Sequence, residues 1–134
     1  KTKDNYAGPK YYGGLFAAIT VNAVIEKSTN TIVAGCNVTV FDKSIKRIGA
    51  YAFAGSGIKG SIIGYLPNSI TEICEYAFAY CNGGGTINVA KATEIIGAHA
   101  FKDSNFYIYF MWRMKPGEQF HADWNSSNCY TNIS

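Results

Sequence analysis

One phrase occurs three times in this chain: SIKRIGAYAF at residues 44–53, SITEICEYAF at 69–78 and ATEIIGAHAF at 92–101. Its anchors keep step, because Ile48, Ile73 and Ile96 advance together with Phe53, Phe78 and Phe101, by 25 and then 23 residues. Phe41, Leu66 and Val89 form a third apolar series at a fixed seven residues before those isoleucines. A unit this short cannot enclose an apolar cluster alone, so each copy must lay its anchors against those of the next. The expectation is a solenoid whose core is a column. Each Phe ring taken out of water contributes ~1.5–3 kcal/mol to it. The extra two residues of the longer period fit the loop from Gly57 to Ile63.

Within a unit, the segments 39–41, 86–89 and 107–109 are rich in β-branched and aromatic residues. They read as strands that stack into a ladder. After each Ile, the segments 50–53, 75–78 and 98–101 set small residues beside a large one, which suits a single helical or 3₁₀ turn. Ser56, Cys81 and Ser104 share a slot downstream, where a small side chain can face the interior or hydrogen-bond the turn.

The phrase SITEICEYAFAYC at residues 69–81 closely resembles the repeat of BspA-like leucine-rich-repeat proteins, rendered S-[VI]-T-x-I-G-x-x-A-F-x-G-C. The stretch from Asn22 to Cys36 also looks like the hairpin that precedes such repeats, so the resemblance spans roughly Asn22 to Phe110. Departures are Asp42 and Ala90 where the family often has Pro, Cys74 where it has Gly, and the loose run Gly83 to Gly85. The resemblance implies an α/β repeat solenoid, mostly β, a short right-handed superhelix of the leucine-rich-repeat type with about three coils. One domain is expected over 1–134: an N-terminal segment and hairpin cap over 1–38, repeats over 39–105, and a C-terminal cap over 106–134. In the cap, Phe120 and Trp124 at i,i+4 spacing suit one face of a short helix.

Function enters through the resemblance as well. Family members are typically exported or surface-attached proteins of host-associated bacteria, with relatives in some protists, and are linked to adhesion and host or matrix binding. The expectation is a non-enzymatic, secreted or cell-surface binding module for a protein or glycan ligand; the alternative is a structural spacer within a larger surface protein. No ligand residue is shared across the family, so candidate contacts come from the residues themselves. Outward aromatics supply contact area at low entropic cost, and Tyr65, Tyr107 and Tyr109 are the candidates. Tyr65, next to the inward Leu66, should face solvent. Which of Tyr107 and Tyr109 does so is left to the register. Tyr51, Tyr76 and His99 occupy one repeat slot and read as packing.

Other chemistries find little support. Lys and Arg are scattered and the formal charge is only +3, which gives nucleic acid no footprint. No apolar run approaches the ~18–20 residues of a membrane span, so this segment is not expected to insert. His99 and His121 stand outside any catalytic phrase, and Gly83 to Gly85 lack the Lys-Ser/Thr of a phosphate loop. No metal or cofactor is expected, because Cys36, Cys74, Cys81 and Cys129 form no C-x-x-C pair. They read as buried free thiols, with disulfides as the alternative in an oxidising compartment. The N-x-[ST] matches at Asn37, Asn125 and Asn132 read as coincidence.

Overall fold

The computed structural model describes residues 23–26, 31–35, 45–55, 58, 64, 66–112 and 115–133. Eight strands occur among them: β1 (Ala23–Glu26), β2 (Thr31–Gly35), β3 (Arg47–Ile48), β4 (Glu72–Ile73), β5 (Thr86–Val89), β6 (Ile95–Ile96), β7 (Tyr107–Phe110) and β8 (Gln119–Phe120). They form two ladders. A six-stranded sheet runs β1-β2-β3-β4-β6-β8, and a two-stranded sheet pairs β5 with β7. All pairings are parallel except β1 with β2, an antiparallel hairpin with a bulge between Val24 and Ile25. The 4-residue connection of the hairpin lies outside the described residues, as do the expected strand at 39–41 and Ser56.

The expected ladder is the β5–β7 sheet. The larger sheet is built from the isoleucines themselves, which the pattern had placed after the strands. Each contributes a strand of only two residues, too short to show alternation, and the pairing comes from the neighbouring winding. Register aligns Ile32, Ile48, Ile73, Ile96 and Phe120 in one row. All five are fully buried. Arg47 and Glu72 face each other in the adjacent row, with Nε 3.0 Å from Oε1.

The segment after each Ile is not helical. No residue among those described adopts an α- or 3₁₀-helix. Ala52 N–H bonds the Gly49 carbonyl at 3.1 Å, and Ala77 repeats this with Cys74. Tyr51, Tyr76 and His99, third in their turns, take φ of 60°, 57° and 55°, as a type II turn requires at that position. Small residues beside a large one suit both conformations, but an extended turn leaves its N–H groups pointing along the stack. Phe53 N–H bonds the Ala77 carbonyl at 2.8 Å and Phe78 N–H the Ala100 carbonyl at 2.7 Å, so the turns pair from winding to winding.

A left-handed non-glycine residue costs ~1–2 kcal/mol. Ring packing offsets part of that: Tyr51 and Tyr76 stack at 4.7 Å with planes 4° apart, and such a pair contributes ~0.5–1.5 kcal/mol beyond area burial. Behind them Phe53, Phe78 and Phe101 stack at 5.1 and 5.4 Å, nearly parallel and fully buried. Leu66, Val89 and Phe110 are buried too, and β5–β7 register sets Val89 beside Phe110. These columns and the Ile row join in one core cluster.

The C-terminal segment is a further winding. β8 pairs with β6, and Trp124 N–H closes a turn on the His121 carbonyl at 3.0 Å. Phe120 and Trp124 meet at 5.5 Å, edge to face, as their spacing suggested, but from a strand and a turn. The four-residue interval that suits a helix face is here the distance from a strand end around a tight corner.

Candidate functional site

The β5–β7 sheet turns alternate residues inward and outward. Ile108 and Phe110 are buried, whereas Tyr107 and Tyr109 are 39% and 38% exposed. Both candidate tyrosines therefore face solvent. The register could not have chosen between them, because residues two apart on a strand share a face. Their ring centroids lie 6.4 Å apart, tilted by 44°. Tyr65 lies outside the described residues.

The backbone holds this pair rigidly. Tyr107 N–H bonds the Gly85 carbonyl at 2.9 Å and Met111 N–H the Val89 carbonyl at 3.3 Å. Register sets Thr86 beside Tyr107 and Asn88 beside Tyr109. Asn88 Nδ2 donates to the Gly64 carbonyl at 2.9 Å, so its amide is already fixed. The outward row is thus Thr, Asn and two Tyr, with no charged residue among them. Met111, at 48% exposed, extends the row by the same two-residue step; Trp112, next in sequence, is exposed as well, as is Tyr130, whose carbonyl accepts the Ile108 N–H across the edge of β7. Extending the Tyr107, Tyr109 period one step further would have found Met111; nothing in the pattern marked Tyr130.

The arrangement offers contact area and little reactive chemistry. His99 Nδ1 lies 2.9 Å from Ser126 Oγ, a bond that ties one winding to the next. His121 Nδ1 accepts from the Asp123 N–H at 2.9 Å. Among the described residues no group of three or more His, Cys, Asp and Glu side chains converges as a metal site would require, and no helix is long and apolar enough to cross a membrane. Cys74, Cys81 and Cys129 are buried. Cys81 Sγ donates to the Phe53 carbonyl at 3.0 Å, and Ser104, in the same slot, donates to the Phe101 carbonyl at 2.7 Å. The slot therefore takes a small donor. Cys36 lies outside the described residues.

Stacked parallel ladders with an exposed aromatic row define a β-rich repeat protein. The family model for the BspA-type leucine-rich repeat region matches residues 15–112 in six copies, and the chain belongs to that family. Six copies stand where the sequence openly displays three phrases. No curated protein and no solved structure matches the chain.

Proposed function

We propose that this chain is a non-enzymatic binding module of a secreted or cell-surface protein, and that it recognises a protein or glycan through the outward face of β5 and β7. The supporting observation is the row Tyr107, Tyr109 and Met111, held out by a sheet whose inward residues are fully used in the core. Large exposed aromatics on a rigid strand lose little entropy on contact. In this reading the chain is a short right-handed superhelix of about three coils over 39–105, with the hairpin side and residues 106–134 closing its ends. A spacer would need only the stacked core; the aromatic row is what favours binding.

The test is an array of matrix proteins and polysaccharides probed with wild type and with the double variant Tyr107→Ala, Tyr109→Ala. Binding by wild type that the double variant loses, with a stability change within ~0.5 kcal/mol as for surface sites, supports the reading. Absence of any binding, or equal binding by both proteins, overturns it.

A further inference from the structure

Asn82 is the one asparagine of the chain that a glycine follows, and two further glycines come after it. This run carries the chain from the buried Cys81 to the start of β5. Asn82 is exposed and Gly83 half-buried. Gly84 and Gly85 turn the backbone at φ of 70° and 89°. Among the described residues none accepts the Gly83 N–H, and none bonds the Asn82 side-chain amide. The segment is held instead by the Asn82 backbone carbonyl, which accepts from Asn105 Nδ2 at 3.4 Å.

Other asparagines are placed differently. Asn88 Nδ2 sits on the Gly64 carbonyl, and Asn125 and Asn132 commit both ends of their amides to backbone. Asn68 is exposed, but Ser69 follows it, and a Cβ there narrows the conformations open to the backbone. Only at Asn82 do an unbonded amide, an unbonded following nitrogen and a permissive glycine coincide among the described residues.

We infer that Asn82 and Gly83 form a self-modifying site, at which the chain converts its asparagine to an aspartyl or isoaspartyl residue and changes the charge of the loop leading into β5. Solvent base takes the Gly83 N–H proton, and the nitrogen attacks Asn82 Cγ. The N–Cγ bond forms, the Cγ–Nδ2 bond breaks, and ammonia leaves with a proton from water. Water then opens the succinimide ring, at Cγ to give aspartate or at the backbone carbonyl carbon to give isoaspartate. Nothing is oxidised or reduced. Either product adds a negative charge. In the isoaspartyl product the oxygen now facing Asn105 Nδ2 belongs to a free carboxylate, so that contact becomes charge-assisted. The inference is independent of any ligand on the aromatic face.

The test is incubation of the folded chain in mildly alkaline buffer, followed by peptide mapping with mass spectrometry and enzymatic methylation of isoaspartyl groups. A parallel sample in denaturant gives the rate without a fold. Conversion should occur at Asn82 within about tenfold of the denatured rate, because an exposed, unbonded loop offers little protection. Asn68, Asn88, Asn125 and Asn132 should stay intact over the same interval. Gly83→Ala should slow conversion about tenfold, as a Cβ restricts the approach of the nitrogen, and Asn82→Gln should abolish it. An Asn82 that stays intact in the folded chain overturns the inference, whether or not the denatured chain converts, and so does conversion of the other asparagines at the same rate. Should Gly83→Ala fail to fold, the folded and denatured rates of wild type decide.

Discussion

The middle windings and the last one meet the same demand by different means. Between residues 45 and 112 the outward peptide groups are taken up by the backbone of the next winding, and the rings behind them stack parallel. From 115 to 133 backbone bonding continues in part, with His121 N–H on the Ile96 carbonyl and His99 N–H on the Asp123 carbonyl, and side chains take over some of the remaining places. Asn125 closes its own loop, with Nδ2 on the Cys129 carbonyl at 2.9 Å and Oδ1 receiving the Cys129 N–H at 2.8 Å. Ser127 Oγ accepts the Asp103 N–H, Ser126 meets His99, and Asn132 meets Phe110. The ring column also ends its parallel run, since Trp124 stands edge-on to Phe101 at 82°. Bonding through backbone leaves side-chain identity loose; bonding through side chains demands particular residues.

That contrast can be broken at several points. The largest effect is expected at Phe78→Ala, which removes the central ring of the stack and should cost ~3–5 kcal/mol in denaturant unfolding. A loss below 1 kcal/mol would show that the column is not the main support. Gly97→Ala comes next. A Cβ there would lie 2.5 Å from the Glu75 backbone nitrogen and 2.9 Å from the Cys74 carbonyl carbon, so the two windings must separate, at ~1–3 kcal/mol for overpacking. Thermal midpoints of the variant and wild type that coincide would contradict this close approach.

Asn125→Ala should cost ~1–2 kcal/mol for two partly buried hydrogen bonds. Hydrogen exchange should place the loss in residues 121–133 and leave the middle windings protected; uniform loss along the chain would deny that the last winding is bonded separately. The smallest effect is a gain. Tyr80 is 47% exposed at φ 60°, in the slot where Gly55 sits at φ 74°. Tyr80→Gly should raise stability by up to ~1 kcal/mol as the left-handed strain is relieved, and a lowered midpoint would mean that the exposed ring packs usefully.

The same contrast explains what the sequence disclosed. Ile48, Ile73, Ile96 and the three stacked Phe were legible because a column forces equal spacing. Ile32 and Phe120 belong to the same row but were not, since Ile32 joins from a hairpin at a shorter interval and Phe120 changes the residue type. The turns were misread because left-handed φ at Tyr and His runs against local preference and exists only where the next winding accepts the bonds. Of the candidate surface, Tyr107 and Tyr109 were named as aromatics with the choice between them left to register, although residues two apart on a strand share a face; carrying that parity one step on would have reached Met111. Asn125 and Asn132 looked like chance sequence matches. Their amides are structural, and no periodicity marks a residue that acts once.

The in-register anchors also bear on how such a chain changes length. Because Ile73 and Ile96 occupy equivalent places on the same row, as do Phe78 and Phe101, excising the stretch from Ile73 to Ile95 would set Ile96 directly against Ile48 and Phe101 against Phe53. Duplicating that stretch would lengthen the rod by one step with every seam alike. Gain or loss of a whole unit is therefore a small perturbation, whereas a one-residue deletion within a unit disturbs every row it crosses.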